Sequence, residues 1–251
     1  MAGWSPRPVL ELVSKNNPVS GPDETGSTAP ASNLMLRVAS AIVMAPVALA
    51  AAYFGGWPFV VFWAAAALTV LWEWTALVKG ALWIVAGIGY AGILFAAPVV
   101  LRSDAEFGLV AILLLFAIVW ATDILGYFAG RAFGGPKLWP AVSPKKTWSG
   151  AVAGTVGATV IAVVVVWLFG HFNYGTIAAI ALLLSVVAQL GDLLESWIKR
   201  KFGAKDAGRL IPGHGGVMDR LDGFWAAALI GCLIGLARGG FEASARGLLI
   251  W

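Results

Sequence analysis

The chain has 251 residues, of which 60% are hydrophobic and only 12% charged, with a formal net charge of +4. Soluble domains carry about 25% charged residues, so this composition excludes an ordinary water-soluble globule and makes the bilayer the natural solvent. A single cysteine, Cys232 in an apolar run, excludes a disulfide framework.

Residues 1–33 are rich in Pro, Ser, Asn and Gly, lack an apolar period, and read as a flexible cytoplasmic tail. Apolar runs follow at 35–54, 57–78, 81–100, 107–129, 150–171, 174–197 and 221–238, each near the ~20 residues that cross a bilayer as a helix. The first starts too late and is too long for a simple cleaved signal peptide. Gly55-Gly56 and Pro58 separate the first pair, and the stretch from Gly239 to Trp251 suits a short or interfacial helix. The expected fold is all-α: a polytopic integral membrane helix bundle of about seven to nine transmembrane helices. Residues 34–104 form its N-terminal helices. Residues 105–251 form a catalytic region with cytoplasmic loops at 130–149 and 198–220. The 13 Trp and 31 Gly suit this reading, because Trp collects at membrane interfaces and Gly at helix contacts.

With the N-terminus in the cytoplasm and seven crossings, all of the Lys and Arg residues except Arg102, Arg238 and Arg246 fall inside. The positive-inside rule favours that orientation.

Eleven charged residues lie between Asp192 and Asp222. A basic loop that sets topology or touches anionic lipid explains Lys199, Arg200 and Lys201. It does not explain Pro212-Gly213-His214-Gly215-Gly216 or the acids around it. Asp192 and Glu195 lie one helical turn apart, as do Asp219 and Asp222, so each pair shares a helix face. Ionisable groups at membrane depth are costly and point to function. Oxygen-only ligands suit Mg²⁺, which takes few carboxylates together with water and phosphate oxygens. The alternative is an internal ion-pair network, such as Asp219 with Arg220 or Lys199. The cations would neutralise phosphate, and the glycines allow backbone to approach it. His214, between glycines in a polar loop, suits a ligand contact. Together these features describe phosphoryl or nucleotidyl transfer. The chain shows no P-loop, Ser-His-Asp triad or zinc motif.

A second cluster spans 121–149. Asp123 ends the fourth span, and Arg131, Lys137, Lys145 and Lys146 follow on the same expected side as the first loop. Ser143-Pro144 breaks any helix there, and Thr147 is placed to cap the fifth span. Glu73, between Trp72 and Trp74, is expected to pair with a basic group or lie at the cytoplasmic interface. His171 is expected at the far interface, and the tryptophans read as belt or packing residues.

Residues 196–222, SWIKRKFGAKDAGRLIPGHGGVMDRLD, resemble the signature of the phosphatidate cytidylyltransferase (CDP-diacylglycerol synthase) family. Its fixed positions are met by Ser196, Lys199, Arg200, Lys205, Asp206, His214, Gly215, Gly216, Asp219, Arg220 and Asp222. Gly191-Asp192-Leu193, Glu195, Asp123, Gly130-Arg131 and Ser143-Pro144-Lys145-Lys146-Thr147-Trp148 are also similar to the family. The likeness covers roughly residues 120–235. Ser149 stands where family members commonly have an acid, and Ile124-Leu125 is more apolar than usual.

The resemblance implies transfer of a cytidylyl group from CTP to phosphatidic acid, giving CDP-diacylglycerol and pyrophosphate for phospholipid biosynthesis. The lipid phosphate would attack the CTP α-phosphorus in line. The resemblance also implies Mg²⁺, with K⁺ as a second cation. Asp192 and Asp219 correspond to the central metal ligands, with Asp123 beside them. Asp219, Asp192, Lys205, Asp222 and Arg220 are the expected catalytic residues. Ser143, Lys145, Lys146, Thr147, Ser196, Lys199, Arg200, His214, Gly215 and Gly216 are the expected substrate contacts. The expected partners are CTP, phosphatidic acid and membrane lipid, with no nucleic acid, and a homodimer follows from the family. The expected location is a bacterial inner (cell) membrane with the site facing the cytoplasm. Competing readings are another CTP-dependent lipid enzyme such as a polyprenol kinase, an ion-coupled transporter with acids at broken helices, and a scaffold with a basic lipid-binding loop.

Overall fold

The apolar runs become helices because a helix satisfies its own backbone where no water is present. A computed structural model describes residues 30–251 except 171, 209 and 212–214, with the backbone alone for 30–41. Six long helices come first: α1 (Pro30–Phe54), α2 (Gly56–Leu77), α3 (Ala81–Ser103), α4 (Gly108–Phe133), α5 (Trp148–Phe169) and α6 (Tyr174–Lys201). They are followed by α7 (Met218–Leu221), α8 (Phe224–Gly239) and α9 (Ser244–Leu249). The fold is an all-α integral membrane bundle, and α2 to α6 are each long and apolar enough to cross a bilayer. Two shorter apolar helices, Ile42–Phe54 and Phe224–Gly239, match the first and last expected runs.

The structure differs from the sequence expectation in four places. Residues 30–33, expected in the tail, already belong to α1; Pro30 suits a first helical position, where its missing N–H is not needed. The run at 221–238 is divided into α7 and α8. The Asp222 carboxylate accepts the Gly223 N–H at 2.8 Å, and such local bonding competes with the helical ladder. The C-terminal stretch forms the expected short helix, but buried rather than interfacial, with Ser244, Ala245, Leu248 and Leu249 fully enclosed. It packs on α8 through glycines: a Cβ at Gly239 would lie 3.1 Å from the Gly247 nitrogen. Finally, the loop at 130–149 contains a small antiparallel hairpin of β1 (Lys137–Trp139) and β2 (Ser143–Thr147).

The faces of α5 show how the bundle meets lipid. Gly150, Gly154, Ala158, Ala162 and Val166, four residues apart, are buried. Val152, Val156, Val160 and Val164 repeat at the same spacing and point outward. Small residues lie inside and bulky ones outside because lipid solvates apolar side chains and helix contacts need close backbones. Towards the middle of the bundle, Trp63 of α2 stacks on Phe224 of α8 at 4.8 Å, and Phe116 of α4 joins them at 5.4 Å.

Successive helices alternate in direction. The C-terminal ends of α2, α4 and α6, the hairpin, and the segment before α8 therefore share one end of the bundle. Arg102, Arg238 and Arg246 lie at the other end. There Arg102 donates to the Ala52 and Tyr53 carbonyls, and Asp104 accepts the N–H of Arg246 at 2.8 Å.

Candidate active site

Close packing of α4 on α5 builds one wall. Gly126 and Gly130 face Gly150 and Gly154: a Cβ at Gly150 would lie 2.5 Å from the Gly126 carbonyl oxygen, and one at Gly154 would lie 2.6 Å from that of Thr122. Thr147 caps α5 as expected, accepting the Gly150 N–H at 3.2 Å. The cap fixes the end of β2, whose register pairs Lys137 with Thr147 and Trp139 with Ser143. The hairpin is thereby held over the α4–α5 seam.

A cavity of about 630 Å³ opens between α4, the hairpin, α5 and α6. Asp123, Arg131, Lys137, Lys145 and Lys146 give it a net positive lining, joined by Thr147 and Gln189. An anion is the natural guest for such a lining. Ser143 is engaged in the hairpin ladder and is not among the lining residues.

Lys146 connects the cavity to the acids. Its ammonium pairs with Asp192 Oδ2, while Ser196 Oγ donates to Asp192 Oδ1 at 3.3 Å. Asp192 is thus held between a cation from the hairpin and a hydroxyl from its own helix.

Lys199 organises the deeper side. It is buried, and its Nζ lies 3.0 Å from Glu195 Oε1 and 2.6 Å from Asp219 Oδ1. Tyr90 of α3 donates to the other Glu195 oxygen at 3.3 Å. Asp219 also gathers the loop: Ala207 N donates to both its oxygens, at 2.9 and 3.2 Å, and Gly216 N donates to Oδ2 at 2.8 Å. The acceptor sites of this carboxylate are therefore fully used. The ion pairing weighed in the sequence as an alternative to a metal site is present between Asp219 and Lys199.

The remaining expected residues fall around this centre. Lys205 and Arg200 are exposed, and Arg200 donates to the Ala204 carbonyl at 3.1 Å. Gly215 and Gly216 form the foot of the loop, where Ile211 N donates to the Gly215 carbonyl at 2.8 Å. Gly215 has φ +86° and sits against Asp219, so a side chain there would be strained and would meet Oδ2 at 2.8 Å. His214, with Arg209, Pro212, Gly213 and the expected interfacial His171, lies outside the described residues.

Among the described residues, no three of His, Cys, Asp and Glu converge on one point as a complete metal cage. The donor set is nonetheless oxygen-only. At both Asp192 and Asp219 an ammonium group stands where a cation would be drawn. This chemistry suits a hard ion that takes its other ligands from phosphate and water.

Glu73 was expected to pair with a basic group or to lie at the cytoplasmic interface. No basic partner is found for it among the described residues. It is buried, and it accepts the N–H groups of Val217 and Met218 at 3.0 and 2.8 Å. The one sign was an acid within an apolar run. Gln189 and Tyr90 carried no sign at all.

An apolar bundle with a cationic cavity beside an acid cluster at one end defines an integral membrane enzyme of nucleotidyl transfer. A profile of the cytidylyltransferase family matches residues 78–235, and the chain belongs to that family. It is 40% identical over 253 aligned residues to the phosphatidate cytidylyltransferase of Brucella abortus biovar 1 (strain 9-941), covering 81% of this chain and 94% of that relative. It is also 45% identical over 139 residues to the phosphatidate cytidylyltransferase of Staphylococcus saprophyticus, covering 55% of this chain and 52% of the other.

Proposed function

We propose that this protein transfers the cytidylyl group of CTP to phosphatidic acid, forming CDP-diacylglycerol and pyrophosphate. The observation that carries the reading is the Lys146–Asp192 pair, which joins a cation-lined cavity to a carboxylate cluster at one end of a membrane bundle. The names of the relatives supply the substrates.

A phosphate oxygen of phosphatidate attacks the α-phosphorus of CTP. The bond from that phosphorus to the bridging oxygen breaks, and pyrophosphate leaves. The lipid is itself the nucleophile, so no side chain need form a covalent intermediate. Lys145, Lys146, Arg131 and Lys137 neutralise phosphate oxygens in the cavity. Lys199, Arg200, Lys205 and Arg220 supply positive charge from the loop side. Asp192 and Asp219, with Asp123 beside them, would hold Mg²⁺, and K⁺ is the second cation. To hold the metal, Asp219 would have to release the Lys199 ammonium that it pairs with here. When bound, Mg²⁺ supplies charge stabilisation to the transferring and leaving phosphates. The loop end of the bundle faces the cytoplasm of a bacterial inner membrane, where CTP is available, and the protein works as a homodimer.

The test is pyrophosphate release by the purified protein with Mg²⁺, CTP and phosphatidate. Release that requires both substrates is expected, with CTP preferred over other nucleotides. CDP in place of pyrophosphate would instead identify a kinase. Release of neither under any lipid or metal condition would refute the reading.

A further inference from the structure

We infer that Glu73, on α2 in the N-terminal half, is a positioning residue that holds the turn at residues 216–218 in its working conformation. This deepens the function proposed above and rests on it. Residue 73 lies outside the stretch matched by the family profile.

Glu73 is 1% exposed, and its two carboxylate oxygens each take one of two consecutive backbone donors. Oε1 accepts Val217 N at 3.0 Å and Oε2 accepts Met218 N at 2.8 Å. The carboxylate thus grips the turn that starts α7, directly before Asp219. Both neighbouring walls are glycine. A Cβ at Gly208 would lie 2.6 Å from Oε1, and one at Gly216 would lie 2.6 Å from Oε2. The segment folds around the carboxylate on two sides, and only glycine leaves room for it.

The same turn is held from the other side by Asp219, which takes the Gly216 and Ala207 N–H groups. Three consecutive amides, 216 to 218, are therefore divided between two acids from opposite halves of the chain. Asp219 in turn sets the position of Lys199 at 2.6 Å. Loosening Glu73 would let the turn shift, and Asp219, Lys199 and the glycine backbone would shift with it. Glu73 touches no reacting atom on this account. It acts through residues 216–219.

The decisive variant is Glu73→Gln in the full-length, detergent-purified protein, with Glu73→Ala as the harsher companion. Gln has the same shape but presents an NH₂ donor to one of the two N–H groups. The half-saturating concentration of Mg²⁺–CTP is expected to rise about fivefold or more, as one buried donor loses its partner. A smaller folded fraction would lower the rate but leave that concentration unchanged. Trypsin should cut within 203–217 faster than in the wild type, without substrate or metal, while the thermal unfolding midpoint stays within about 3 °C. An unchanged half-saturating concentration, or unchanged trypsin cutting, would overturn the inference. If the wild type releases no pyrophosphate, the function proposed above fails instead, and the trypsin comparison still decides whether Glu73 pins the segment.

Discussion

Asp219 carries two tasks at one position. Its oxygens gather Ala207 and Gly216 N–H groups and the Lys199 ammonium, and it is the acid proposed to exchange that ammonium for a metal. Asp219→Ala should therefore lose about 10²-fold or more in rate. The folding task can be separated from the chemical one with Asp219→Asn, whose remaining oxygen still accepts an N–H. That variant should still fold in detergent, with a lower unfolding midpoint because the buried Lys199 ammonium loses one of its two carboxylate partners, and should lose turnover in a pyrophosphate assay. Near-normal activity in either variant would remove Asp219 from the metal site.

At the scale of elements, the α4–α5 contact is what holds the hairpin over the cavity. Its closeness depends on glycine, since a Cβ at Gly154 would meet the Thr122 carbonyl at 2.6 Å, and a helix carbonyl cannot step aside. Gly154→Val should destabilise the protein by about 1–3 kcal/mol. Val156→Leu, two residues on and facing lipid, should change stability by less than about 0.5 kcal/mol. Thermal unfolding followed by size-exclusion chromatography checks both. Equal effects would mean that the two faces of α5 are not different in kind.

Across the whole molecule, helix alternation gathers the described residues of the proposed site to one end. A cysteine at exposed Lys145 should react with a membrane-impermeant maleimide only when the cytoplasmic face is open, and one at exposed Glu242 only from the other face. Native Cys232 is buried and should stay silent. Labelling of both positions from one side would break the topology.

Much of this was legible from the chain alone. Bilayer thickness and backbone hydrogen bonding force a run of about 20 apolar residues into a helix, so the spans were readable to within a few residues. The site was half legible, because ionisable residues are scarce in such a chain and their clustering between Asp192 and Asp222 stands out. The sequence also marked Asp123 and the hairpin lysines as members of one face. What it could not decide was pairing. Whether Asp219 meets Lys199 or Arg220, and whether Glu73 meets a cation or two amides, depends on which helix ends lie side by side. That is set by long-range packing, here by glycine contacts between α4 and α5 and by the packing of Gly208 and residues 216–218 around a carboxylate from α2. Strands of three and five residues are too short to show a period, so the hairpin too emerged only once Lys137 and Thr147 were brought together in space. Composition and spacing determined that this is a membrane protein with a basic, glycine-rich loop between two acidic helix ends. Tertiary structure alone decided which donors reach each acid, the Lys199 ammonium and two loop amides for Asp219 and two further amides for Glu73, because those partners come from distant parts of the chain.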